Sequence, residues 1–153
     1  MDINLPSRRI YGFGERIKSF ALGEGSWTMW ASGDEIKNDN GLGGQQSYGV
    51  HPFALVQTAV KGEYLGIYFR NTNAMSPVIR HTNNDTAILS YISTGGTIEI
   101  YFMFKGSAKD IIKQYQNIIG KPRLPPFWSL GWNTASHSFN NLTLVDTNVK
   151  MYE

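Results

Sequence analysis

Three histidines, His51, His81 and His137, are the side chains here best suited to proton transfer near neutral pH. No two of them stand at metal-ligand spacing, and each reads first as a hydrogen-bonded strand or loop residue. Cysteine is absent, which excludes a thiol nucleophile, a disulfide scaffold and a zinc site built on sulfur. No G-x-S-x-G elbow occurs, and no glycine-rich loop leads into a Lys-Ser/Thr helix start. Gly12-Phe13-Gly14 lacks the third glycine of a dinucleotide fingerprint. Acid–base cleavage of a sugar linkage needs two carboxyl groups across one ring. Asp34 and Glu35 are neighbours in a polar stretch, Asp110 is accounted for as a helix cap, and Asp146 falls in a second helix. No catalytic pair emerges. The four tryptophans hint mildly at carbohydrate, because flat aromatic faces stack on sugar rings while polar neighbours bond the hydroxyls. Trp27 and Trp30 flank the polar stretch, and Trp128 and Trp132 lie in a late apolar run. Ordinary core filling is the competing reading, and for Trp128 the stronger one.

The elements that must position these residues come in a clear order. Residues up to about 46 are rich in glycine and aromatics with little periodicity, and 34–46 read as an exposed loop. Strands are predicted over 50–60, 64–70, 78–81, 86–93 and 97–104, separated by Lys61-Gly62-Glu63, Asn83-Asn84-Asp85 and Gly95-Gly96. Short strands with turn signals between them predict an antiparallel sandwich, so the chain is mainly β. The period then changes. Ser107 and Asp110 have capping-box spacing, and Ile111, Ile112, Tyr115, Ile118 and Ile119 form one helical stripe. Gly120 and Pro122 end that helix. Residues 121–126 are a stiff, Pro-rich connector, Phe127 to Thr134 read as an apolar strand, and a second amphipathic helix opens near Asn141. Its pattern is cut at Glu153, which predicts a truncated chain or a fragment.

The 153 residues, 41% apolar and 17% charged, suit one domain and a single sizeable core. A net charge of +2 is too slight to favour nucleic acid or an anionic membrane as partner. No stretch reaches the roughly 20 apolar residues of a membrane span. No signal peptide is visible at the start. Asn84-Asp85-Thr86 and Asn141-Leu142-Thr143 fit the N-glycosylation pattern at close to chance frequency.

Four segments, in order, carry a resemblance. They are Tyr11-Gly12-Phe13-Gly14-Glu15-Arg16, Tyr48-Gly49-Val50-His51-Pro52-Phe53, Gly66-Ile67-Tyr68-Phe69-Arg70-Asn71-Thr72-Asn73-Ala74-Met75 and the run from Ile118 to Gly131. Together they resemble glycoside hydrolase family 31, the α-glucosidase group. The resemblance implies a mutarotase-like β-sandwich (1–106), a helix and Pro-rich connector (107–126), and the first β/α unit of a truncated TIM barrel (127–153). A complete barrel takes about 250 residues. The family's nucleophile and acid/base aspartates lie on later barrel strands, so no catalytic residue is assigned to this chain. The implied reaction removes terminal α-linked glucose from oligosaccharides with retention, needs carboxyls about 5–5.5 Å apart, and takes no metal or cofactor. The implied partners are an oligosaccharide and the missing barrel of the same polypeptide. The family admits a secretory, lysosomal or ER-lumen location. Two residues here match positions that touch sugar in relatives: Asp34, in the loop after the Trp-rich segment, and His137, at the end of the first barrel strand. Ala31-Ser32-Gly33 and Ser136-His137 both depart from the family's pattern. A non-catalytic sugar-binding sandwich and a purely structural buttress are the rival readings.

Overall fold

A computed structural model describes residues 1–16, 19–30 and 49–152. It divides into two compact units, Met1–Gly120 and Lys121–Glu153.

The first unit holds eight strands: β1 (Asp2–Leu5), β2 (Ile10–Gly12), β3 (Gly25–Ser26), β4 (Phe53–Gln57), β5 (Tyr64–Phe69), β6 (Met75–His81), β7 (Ala87–Ser93) and β8 (Ile100–Met103). They form two four-stranded sheets, ordered β1-β7-β6-β3 and β2-β4-β5-β8, with every pairing antiparallel. One apolar cluster draws on both sheets. Leu5, Met75, Ile79, Leu89 and Tyr91 enter it from the first, and Ile10, Ala54, Val56, Ile67 and Phe69 from the second. Alternation sets this arrangement: in β6, Met75, Pro77 and Ile79 are buried while Ser76 and Val78 are half-buried and Arg80 is exposed. The mainly antiparallel β reading therefore holds.

The differences have local causes. Proline marks the expected start of the third predicted strand, yet β6 runs through Pro77. The Pro77 carbonyl accepts from Trp27 N at 2.7 Å, so its missing N–H would face the two-residue β3 and not the long β7 ladder. In the opening region, β1, β2 and β3 are too short to show a period, and their pairing with distant β7, β4 and β6 makes them strands.

Helix α1 (Ala108–Ile119) has the expected capping box. The Ser107 side chain accepts from Asp110 N, while Asp110 accepts from Ser107 N at 3.1 Å. Gly120 follows at φ 92°. α1 covers the outer face of the second sheet through Ile111, which sits over Gly66, and through Tyr115, whose ring stacks on Phe53 at 4.4 Å. A Cβ at Gly66 would come within 2.5 Å of Ile111 Cγ2. Glycine is the residue that lets helix and sheet approach this closely.

In the second unit the expected strand over 127–134 is not formed. Phe127–Leu130 is a 3-10 turn, with Ser129 N donating to Pro126 O at 3.0 Å and Gly131 N to Trp128 O at 3.3 Å. A strand needs a partner ladder, and among the described residues no strand follows β8. Without one, local i→i+3 bonds satisfy the backbone. Of the expected strand and helix only the helix is formed, α2 (Leu142–Lys150), which Asn141 caps by accepting from Leu144 N at 3.0 Å. Trp128, 78% exposed, is not core filling.

Candidate functional site

Three of the four motifs meet at one end of the first unit. After β2 the chain turns at Phe13, which is fully buried at φ 51°. Phe13 N donates to Phe53 O at 3.1 Å, Glu15 N to Gly49 O at 3.1 Å, and His51 N to Gly14 O at 3.2 Å, so the first and second motifs run side by side. Arg16 closes the turn. Its Nε donates to Phe13 O at 2.8 Å, Nη2 donates to Thr28 O, and the guanidinium lies 5.7 Å from the Trp27 ring centroid. Trp27 is only 3% exposed, with Nε1 donating to Gly23 O at 3.3 Å. Its face belongs to the core and to Arg16, which removes it as a sugar-stacking surface.

The third motif follows β5. Phe69 N donates to Pro52 O at 3.0 Å, linking it to the second motif. Asn71 then fixes the loop: its Nδ2 donates to Gly95 O and Thr97 O at 2.9 and 3.1 Å, and its Oδ1 accepts from Asn73 N at 2.8 Å. Met75 exchanges two backbone bonds with Met29, which places Trp30 beside this loop. Trp30 is 61% exposed.

Between Trp30 and the loop lies a hollow of about 230 Å³, lined also by Val50, Pro52, Asn71, Thr72 and Asn73. Its walls combine an indole, a proline ring, amides and a hydroxyl, the mixture that holds a small polyhydroxylated ring. Among the described residues, no carboxylate lines it.

The expected site residues fall as follows. Asp34 lies outside the described residues, although Trp30 and Val50, which bracket its segment in the chain, both line the hollow. His137 belongs to the second unit. It is exposed in the turn before α2, between Ser136 and Ser138, whose hydroxyls bond at 2.8 Å. Missed by sequence reasoning were Asn71 and Asn73. An Asn-x-Asn directly after a strand is an Asx-turn signal, and it was available. Among the described residues no group of three His, Asp or Glu side chains is placed to hold a metal ion.

The strongest electrostatic cluster stands apart, at the β5–β8 end. The Arg70 guanidinium bonds Glu99 at 3.1 Å, and the Tyr101 hydroxyl also donates to Glu99. The Tyr101 bond, then Arg70, hold the Glu99 carboxyl below its usual value. Arg70 is in turn held above its own value by Tyr101 and Glu99. All three are at least partly solvated and already paired with one another, which makes them a surface tie between strands.

No family model matches the chain. Among known proteins it is similar to intestinal sucrase-isomaltase of Homo sapiens, 29% identical over 147 residues, 95% of this chain and 8% of that protein. Sucrase-isomaltase of Rattus norvegicus is 30% identical over 152 residues, covering 98% and 8%. Lysosomal alpha-glucosidase of Bos taurus is 32% identical over 148 residues, covering 95% and 15%. The likeness thus runs through both units and all four motifs, and these relatives are glycoside hydrolases. More particularly, the chain is similar to members of glycoside hydrolase family 31, the α-glucosidase family. It spans only 8–15% of the length of the three relatives named.

Proposed function

We propose that this chain contributes the sandwich and the opening of the catalytic barrel to a retaining hydrolase that removes terminal α-linked glucose from oligosaccharides. In this reading the nucleophile and acid/base aspartates lie elsewhere in the protein, 5–5.5 Å or so apart as retention requires. The chain supplies the wall of the substrate entrance. Asp34, from the segment between Trp30 and Val50, and His137 are the proposed sugar contacts. Residues 127–134 take up strand pairing when barrel neighbours supply a ladder. The observation that carries the proposal is the identity of about 30% running through nearly the whole chain, against relatives many times longer. The apolar surface of the second unit is consistent with it: Leu124, Phe127, Trp132 and Leu142 are each more than four-fifths exposed and want a cover.

The test is turnover. The isolated 153-residue chain should release no p-nitrophenol from p-nitrophenyl α-glucoside, because no group present serves as nucleophile with an acid partner. Measurable release would overturn the proposal. In a longer polypeptide carrying this segment, Asp34→Ala should raise KM, and unchanged kinetics would reduce the loop to a structural role.

The second reading, a non-catalytic sugar-binding unit, is favoured by one observation: the exposed Trp30 indole beside a hollow of amides and a hydroxyl.

A further inference from the structure

Two triplets fit the N-glycosylation pattern, and the structure separates them. Asn84-Asp85-Thr86 lies in the turn between β6 and β7, the tip of a hairpin whose pairing runs from Met75↔Ser93 to His81↔Ala87. Asn83, Asn84 and Asp85 are all exposed. The residues around Asn84 hold the turn without it. Thr82 N donates to Thr86 O at 2.9 Å, and the Thr82 and Thr86 hydroxyls bond each other. Asp85, at φ 56°, has a carboxylate oxygen 3.8 Å from Arg8 Nε. Among the described residues, the Asn84 amide has no hydrogen-bond partner. Asn141-Leu142-Thr143 is placed otherwise. Asn141 Oδ1 accepts from Leu144 N at 3.0 Å as the cap of α2, and its Nδ2 donates to Asn140 Oδ1 at 3.0 Å. That amide is engaged through both of its polar atoms.

A glycan needs an acceptor nitrogen in water and a backbone that keeps its form once a bulky, hydrated group is added. The β6–β7 turn meets both needs, since none of its bonds uses the Asn84 side chain. We propose that Asn84 is an N-glycosylation site. In the reaction, Asn84 Nδ2 attacks the anomeric carbon of an oligosaccharide carried on a lipid pyrophosphate. The N–C bond forms, the C–O bond to the pyrophosphate breaks, one Nδ2 proton is released, and lipid pyrophosphate leaves. The length of β6 sets the glycan apart from the hollow beside Trp30. Met75 lines that hollow and His81 ends the strand, about 20 Å away at the rise of an extended chain. The glycan thus stands off the proposed substrate entrance and keeps the hairpin tip in water in the complete protein. The inference rests on the hydrolase reading for one point, the secretory, lysosomal or ER-lumen location that the family admits.

The experiment reads Asn84 directly, in two preparations. One is the 153-residue chain sent through a eukaryotic secretory pathway behind a cleavable leader; the other is the natural protein taken from its own cells. Each is digested to peptides and treated with peptide-N-glycosidase in heavy-oxygen water. Mass spectrometry should find Asn84 converted to labelled aspartate in both. On gels, the secreted chain should lose a glycosidase-sensitive step in mobility in Asn84→Gln and keep that step in Asn141→Gln. An unlabelled Asn84 in either preparation, or a mobility pattern that Asn84→Gln leaves unchanged, would overturn the site. Neither readout involves turnover, so the two failures are separable. A longer polypeptide without α-glucosidase activity that carries a glycan on Asn84 sinks the hydrolase reading alone, and an active α-glucosidase with a bare Asn84 sinks only this inference.

Discussion

At the scale of single residues, glycine, arginine and asparagine decide this surface more than the titratable groups do. Gly66 is the sharpest case. It lies in the middle of β5, where glycine lacks side-chain contacts and weakens a strand, yet it is held between Ile111 Cγ2 and Met103 Sδ. Gly66→Ala should lower stability by about 1–3 kcal/mol, the range for overpacking a filled interior. Chemical denaturation reads this directly, and a variant as stable as the parent would show that α1 rides on the sheet more loosely than the contact distances indicate. Arg16 illustrates a different division of labour. Its place in the Tyr-Gly-Phe-Gly-Glu-Arg motif suggests chemistry, but its bonds to the Phe13 and Thr28 carbonyls make it a clasp for the turn that leads to Trp27 and Trp30.

At the scale of elements, α1 is the one whose bounds were legible from spacing alone. Capping box, stripe and terminal glycine are local signals, and all three were formed as read. The stripe is only partly used, since Ile111 is buried while Ile112 and Ile119 are over two-fifths exposed. The cap also predicts a pH response. Hydrogen bonds from the Ser107 hydroxyl and backbone, with a smaller contribution from Lys113, hold the Asp110 carboxyl below its usual value. A depressed folded-state value means that its contribution is complete above the ordinary carboxylate value of about 3.9. It is lost as pH falls through the lowered one. Fraying of the first turn of α1, followed by amide NMR, should therefore deepen below about pH 4, and Asp110→Asn should abolish that dependence. An identical acid profile in the two proteins would count against the carboxylate as the group responsible. The 3-10 turn at Phe127–Leu130 teaches the opposite lesson. An apolar run has no strand conformation of its own, and in the absence of a neighbouring ladder its backbone turns back on itself.

For the molecule as a whole, the division at Gly120 has an energetic meaning. Every fully buried residue among those described lies between Leu5 and Ile111, so the first unit holds the entire core and the second has none of its own. A chain ended at Gly120 should unfold cooperatively within a few degrees of the 153-residue chain's Tm, because removing residues without buried apolar area takes away little stability. A large fall in Tm would mean that residues 121–153 hold the sandwich together. The sequence by itself determined the mainly β class, the hairpin at Gly62, both helices with the caps of the first, the Pro-rich connector and the likeness to the family. These rest on local backbone preferences and on motifs read in order along the chain. Only the tertiary structure decided that Trp27 belongs to the core and Trp30 to the surface. It also showed that three short early strands complete the sheets and that two distant motifs stand around one hollow. Those outcomes depend on which strand lies beside which, and a pairing across 50 or more residues leaves no periodic trace in either partner.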